Sequence, residues 1–182
     1  MDAIELLTRD HRTVEELFGQ FSGDDESMKR RTAESIIREL SIHAAIEEEF
    51  FYPTVRREVP QTEGMVDHGM HEHQEAKEIL ARLDRMTDKA HTKAFAEKLQ
   101  RLQRLIADHV EEEEKELFPK VREAMTRTAL NELGTTMNRA KATAPTRPHP
   151  NAPTHPAAQA LVGRAAAVVD RMRDAVSGRD AS

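Results

Sequence analysis

Apolar positions recur three and four residues apart along most of the first 125 residues, the period of one helix face. The first such stripe is Ile4, Leu7, Val14, Phe18 and Phe21, over residues 2 to about 22, and His11 completes it. Ser22-Gly23-Asp24-Asp25 stops that helix. A second helix, capped by Ser27 or a neighbouring acid, runs to about Tyr52, where Pro53 kinks or interrupts it. Its stripe reads Ile36, Leu40, His43, Glu47, Phe50. Pro60 to Gly64 breaks the chain again. The third helix, about 64 to 86, has the stripe Val66, Met70, Ala76, Leu80, Leu83. Of its three histidines only His73 lies on that stripe, while His68 and His71 fall with Glu75, Glu78 and Arg82 on the solvent face. The fourth, about 91 to 122, carries Phe95, Leu99, Leu102, Ile106, His109, Glu113 and Leu117, and meets Pro119 as the second meets Pro53.

Four long amphipathic helices on short connections predict an all-α, up-down-up-down four-helix bundle over residues 1–125. Residues 126–142 read as a short helical extension. Residues 143–158 read as a Pro-rich linker, with five prolines in the thirteen residues from Ala144 to Pro156, so His149 and His155 are expected to be unstructured. Over 159–182, Ala160, Leu161, Ala165, Val168, Val169, Met172 and Val176 outline an amphipathic helix with a disordered end. That helix would dock on the bundle, self-associate or bind a protein partner.

Composition narrows the chemistry. Charged residues make up 33% and aromatics 4%, which suits surface-rich helices. The absence of cysteine excludes disulfides, thiolate-held metal clusters and a cysteine nucleophile. Residues 125–182 hold eight of the 27 basic residues and four of the 33 acidic ones, leaving residues 1–124 at −10. Such a body repels nucleic-acid phosphates, so no nucleic-acid partner is expected. The N-terminus has no signal-peptide pattern and no apolar run reaches membrane-spanning length, so the expectation is a cytoplasmic protein with no membrane contact.

The polar interruptions of the core stripes carry the chemistry. His43 to Pro53 and His109 to Pro119 share the frame H-x3-E-x5-P, and residues i and i+4 lie on one helix face. Each copy therefore aims an imidazole and a carboxylate inward, where a carboxylate costs several kcal/mol unless paired or metal-bound. Each frame follows a helix with one inward histidine, so the halves look duplicated: His11 and His43 are 32 residues apart, His73 and His109 36. The inward set is His11, His43, Glu47, His73, His109 and Glu113. Imidazole with carboxylate suits iron, manganese, zinc or copper and disfavours magnesium and calcium. Two metals bridged by both carboxylates would receive about four protein bonds each, and a solvent-derived oxo or hydroxo bridge would leave about one position per metal open. His68, His71 and His91 are assigned to solvent, Glu48-Glu49 and Glu111-Glu112 to the solvated face, with Glu111 or Glu112 a candidate partner of an imidazole. Tyr52, nine residues past His43, is expected on the opposite side as a packing residue.

The pattern H, H-x3-E, H, H-x3-E in this helix order, with H-x3-E-E-E at both later histidines, resembles the hemerythrin-like proteins, also called HHE cation-binding domains. The resemblance covers roughly residues 1–125. It implies a four-helix bundle around a non-haem di-iron centre, hence two iron ions, with manganese or zinc as lesser alternatives. His11, His43, Glu47, His73, His109 and Glu113 would be its ligands, and Glu47 and Glu113 its bridges. The oxygen-carrying members have H-x3-H on the third helix, where this chain has Lys77 four residues after His73, and H-x4-D where it has His109-x3-Glu113. The missing histidine leaves an extra open position or one filled by a nearby group. That shifts the expectation from reversible oxygen storage toward reaction with hydrogen peroxide, O2 or nitric oxide, either as a catalase-like or nitric-oxide-handling enzyme or as an oxygen or iron sensor signalling through the C-terminal tail. No catalytic residue beyond the metal ligands is assigned.

Overall fold

The computed structural model describes residues 1–21, 25–151 and 166–175. Helix α1, Ala3–Gln20, starts at a capping box in which Asp2 accepts from the Glu5 backbone and Glu5 from that of Asp2. Helix α2, Glu26–Ile46, is capped by Asp25, which accepts from the Ser27 and Met28 backbones. The rod does not stop there. A π turn, Glu47–Phe51, carries it into α3, Tyr52–Glu58. Helix α4, Glu63–Asp84, returns, and α5, Lys93–Glu112, runs through a second π turn, Glu113–Leu117, into α6, Phe118–Ala124.

Pro53 and Pro119 therefore continue their helices. In a regular α-helix the ring of Pro53 would clash with the carbonyl of Glu49 and leave it without a donor. A π turn takes in one extra residue and moves that carbonyl aside. The Tyr52 and Phe118 amides accordingly bond five residues back, to the Glu47 and Glu113 carbonyls.

The rods α1, α2–α3, α4 and α5–α6 form the all-α bundle. Two apolar clusters fill it, one around Leu6, Ile46, Phe51, Val55 and Val121, the other around Ile36, Leu40, Leu80, Phe95 and Leu102. The inward polar residues lie in the layer between them. Among the described residues no helix is long and apolar enough to cross a membrane.

Helix α7, Arg127–Lys141, capped by Thr126, packs across α1 and the first π turn. Gly134 makes that approach possible: a Cβ there would stand 2.6 Å from the Ala3 backbone nitrogen and 2.8 Å from the Met1 carbonyl oxygen. Beyond α7, Arg147 makes a two-bond contact with Asp84 of α4, at 3.1 and 3.0 Å, and pairs with Asp174 at 2.9 Å. His149, expected to be unstructured, has its Nε2 2.9 Å from Asp170 Oδ2, while His155 lies outside the described residues.

Residues 166–175 are helical, but not on the expected face. Val168, Val169 and Met172 point to solvent, whereas Asp170 and Asp174 are buried. Periodicity reads hydrophobicity alone, and here the pairing of two aspartates with Arg147, Thr146 and His149 decides which side turns in. Ala160, Leu161, Ala165 and Val176 lie outside the described residues.

Gly134→Ala should cost about 1–3 kcal/mol, because the added methyl meets backbone that has no rotamer to yield. Thermal denaturation of wild type and variant checks it, and an unchanged midpoint would mean that α7 is not seated on the Met1–Ala3 backbone.

Candidate metal centre

His11 on α1, His43 on α2, Glu47 at the first π turn, His73 on α4, His109 on α5 and Glu113 at the second π turn all converge on one buried layer, none more than 6% exposed. Glu47 Oε2 stands 3.1 Å from both His43 Nε2 and His73 Nε2. Glu113 Oε2 stands 3.4 Å from His11 Nε2 and 3.7 Å from His109 Nε2. His73 Nε2 and His109 Nε2 are 3.2 Å apart. The donor atoms fall into two groups that could hold a metal ion, His11 with His43, Glu47 and Glu113, and Glu47 with His73 and His109.

Five side-chain atoms of this layer, His11 Nε2, His43 Nδ1, both Glu47 oxygens and Glu113 Oε2, are buried without a hydrogen bond of ordinary geometry. Leaving so many polar atoms unmatched in a core is costly unless something else binds them. The donor set, imidazole nitrogens with carboxylate oxygens, fits a transition-metal cation.

Three of the four imidazoles are held from behind by an acid. Nδ1 of His11 lies 2.9 Å from Glu114, that of His73 3.1 Å from Glu48, and that of His109 2.8 Å from Glu72. His43 Nδ1 faces Asp10 at 3.9 Å, longer than a hydrogen bond. An ionised carboxylate can only accept, so it fixes the proton on Nδ1 and leaves the Nε2 lone pair of a neutral imidazole turned inward. The scheme repeats in both halves. The residue before the lone histidine, Asp10 or Glu72, serves the histidine of the next helix. The residue after the inward glutamate, Glu48 or Glu114, serves the lone histidine.

These acids correct two expectations. Glu48 is not on the solvated face: it is buried and holds both His73 and Lys77. Glu111 and Glu112 do reach the surface, but they pair with Lys115 and His68 and touch none of the four imidazoles. A carboxylate one residue before a core histidine or one after a core glutamate was the available signal. Lys77, at the place of the missing histidine, turns its amine to Glu48 at 2.8 Å.

Tyr52 is also corrected. Its ring is fully buried, and its hydroxyl donates to Glu113 Oε1 at 2.9 Å. On a regular helix nine residues make about two and a half turns, which is the far side. The π turn rotates everything beyond it by about 100°, and so brings Tyr52 inward. Gly69 leaves room for it, since a Cβ there would stand 2.7 Å from the hydroxyl. The equivalent residue in the second half, Phe118, stacks on His11 at 5.9 Å and has no hydroxyl to offer Glu47.

Burial works to lower the pKa of His43, but the negative charges of Glu47 and Asp10 beside it outweigh that and hold it at about 10. Burial opposes in the same way at His73, where the Glu47 carboxylate and the hydrogen bond to Glu48 prevail and hold it at about 9. Glu47 is pressed upward by burial, yet His43 and His73 keep it well below the usual carboxylate value. Burial, reinforced by Glu113, pushes the Tyr52 phenol well above its ordinary range.

Beside the imidazoles lies a cavity of about 20 Å³, room for one water-sized molecule. Its apolar wall is Val14, Leu40, Ala76, Leu80, Ile106 and Val110. A wider groove of about 370 Å³ between α1 and α5 shares His11, Val14, Ile106 and Val110 with it.

A helical bundle with a buried layer of imidazoles and carboxylates is the frame of a cation-binding protein. The family model for the hemerythrin HHE cation binding domain matches residues 2–121, and the chain belongs to that family. An uncharacterized hemerythrin-like protein of Schizosaccharomyces pombe is 28% identical over 173 residues, covering 93% of this chain and 84% of that one. A protein of a Nostoc species named DNA nickase is 27% identical over 142 residues, 78% of this chain and 39% of its own length. The chain thus spans about two fifths of that second relative. No solved structure matches it.

In the metal-free protein, His43 and His73 have folded pKa values above the ordinary 6.5. Their contribution to stability is therefore full below about pH 6.5 and is lost as pH rises through 9 to 10. Chemical denaturation across that window checks it. Metal uptake at pH 7 should accordingly release about two protons per chain, one from each, in an unbuffered titration. Tyr52→Phe should destabilise the metal-free protein by about 1–3 kcal/mol, because Glu113 keeps its burial and loses its donor.

Proposed function

We propose that the chain binds two iron ions in this layer and uses them to react with a small oxidant, hydrogen peroxide, O2 or nitric oxide. The observation that carries the reading is the convergence of buried donor atoms that lack hydrogen bonds of ordinary geometry, His11 Nε2, Glu47 Oε1 and Oε2 and Glu113 Oε2. On this reading His11 and His43 would hold one ion and His73 and His109 the other, with Glu47 and Glu113 supplying the carboxylate oxygens. Bound iron would supply Lewis acidity and a redox couple.

The chain's own residues supply the rest. Asp10, Glu48, Glu72 and Glu114 orient the imidazoles and strengthen them as donors. The cavity beside the four histidines admits a diatomic or a peroxide, and its apolar wall excludes bulk water. The groove between α1 and α5 is the approach to it. Lys77 lines the same cavity and places a positive charge, shared with Glu48, at its edge. That favours an anionic or readily polarised guest.

One observation favours a second reading, a sensor that relays occupancy through the tail. Lys141, at the end of α7, bonds Asp10 at 2.6 Å, and Asp10 faces His43. A change at His43 would thus be felt where the tail leaves the bundle. Removing residues 143–182 separates the readings, since peroxide turnover survives the deletion and partner signalling does not.

Elemental analysis of the purified protein should give about two irons per chain, and Glu47→Ala should lose most of them while remaining helical by circular dichroism. One metal per chain, or mainly zinc, would end the redox reading. A Glu47→Ala protein that keeps its iron would remove Glu47 from the centre.

A further inference from the structure

A third group of potential donors lies outside the six. His68, one of the histidines expected to face solvent, places Nε2 3.6 Å from Glu72 Oε1 one turn along α4 and 3.5 Å from Glu112 Oε2 on α5. One donor atom from each residue lies within 4.8 Å of the other two. His68 and Glu112 are about half exposed, Glu72 is 11% exposed, and an imidazole with two carboxylates suits a divalent transition metal.

On a helix surface such a cluster would be ordinary. What lies beneath it is not. A cavity of about 20 Å³ opens inward from Glu72 and Glu112 and is closed at its inner end by Tyr52, His109 and Glu113. Glu113 is 4% exposed, and its Oε2 has no hydrogen-bond partner. Glu72 belongs to both sides of the passage, with Oε1 toward His68 and Oε2 bonded to His109 Nδ1. Gly69 keeps the wall open by leaving Tyr52 its place.

We propose that His68, Glu72 and Glu112 form an outer, transient site for a divalent cation, the port by which metal enters the bundle. The proposal rests on the reading of the inner layer as a metal centre. A hydrated divalent ion cannot cross apolar packing without replacing the water it sheds. Carboxylates set in series, Glu112 and Glu72 outside and Glu113 within, provide those replacements. The cavity beside the four histidines, reached from the groove between α1 and α5, carries Lys77 at its edge, and that positive charge disfavours a cation while it suits an anionic or readily polarised guest. The bundle then has two entrances of different chemistry, one for the ion and one for the molecule that reacts with it.

Tyr52 reports on arrival, because it is the single tyrosine in a chain without tryptophan and bonds Glu113. Metal-free full-length protein is mixed with Co²⁺ in a stopped-flow instrument, and quenching of Tyr52 fluorescence is followed. In a His68→Ala, Glu112→Ala double variant, whose changes lie at the surface and spare the partner of His109, the quenching rate should fall by about tenfold while the final cobalt content stays unchanged. Val110→Phe, which narrows the other entrance, should load at the wild-type rate. Wild-type loading by the double variant, or slow loading by Val110→Phe alone, would overturn the port. So would a lower final cobalt content in the double variant, which would make these residues holders of metal and not a passage. If wild type takes up no cobalt at all, the metal centre itself fails, and that outcome is distinct from the others.

Discussion

Desolvation of two carboxylates governs this structure. Glu47 and Glu113 sit in the middle of a bundle with apolar clusters on either side, where an unpaired charge would cost more than a small domain's net stability. The four histidines, the four acids behind them and Tyr52 are successive answers to that cost. Without metal, protonated His43 and His73 neutralise Glu47, which is why their pKa values rise and that of Glu47 falls. A metal cation would neutralise the same oxygens and displace those protons. Folding charge and metal charge would thus compete for one place.

The π turns connect this electrostatic demand to the backbone. Each begins at an inward glutamate and ends just before the dipeptide that contains the proline. The extra residue resets the phase of the rod, so the histidine and glutamate face inward before the turn and Tyr52 or Phe118 faces inward after it. One rod thereby covers the layer from beside and from the end. The two halves then diverge at a single hydroxyl. Tyr52 hydrogen-bonds one oxygen of Glu113, whereas at Glu47 the equivalent Phe118 has no hydroxyl to give and the carboxylate faces the imidazoles of His43 and His73. The centre is near-symmetric in its histidines and asymmetric in its carboxylates, which would make its two ends chemically different.

The tail adds polar anchoring where apolar docking was expected. Lys141 on Asp10 and Arg147 on Asp84 and Asp174 fasten the residues after α7 to α1 and α4. The exposed Val168, Val169 and Met172 are the consequence, because the buried side of that helix is taken by its aspartates.

The bundle, its four rods and the six inward polar side chains were legible in the chain itself, because a helix has a fixed local period. Residues i and i+4 share a face whatever surrounds them, so Ile36, Leu40, His43 and Glu47 declare one stripe, and Leu102, Ile106, His109 and Glu113 another. The position of His73 against His68 and His71 followed from the same rule. Everything that depends on which helix lies opposite was not legible. Glu48 reads as one of three consecutive acids until α4 brings His73 and Lys77 against it, and Glu72 acquires its role only when α5 brings His109 against it. Tyr52 was misplaced because the phase of a regular helix was carried through a π turn. The recurring proline six residues after each glutamate was its local trace. Local spacing determines which side chains leave a helix together, and tertiary packing decides what they meet. A charge in a low-dielectric layer is settled by what it meets.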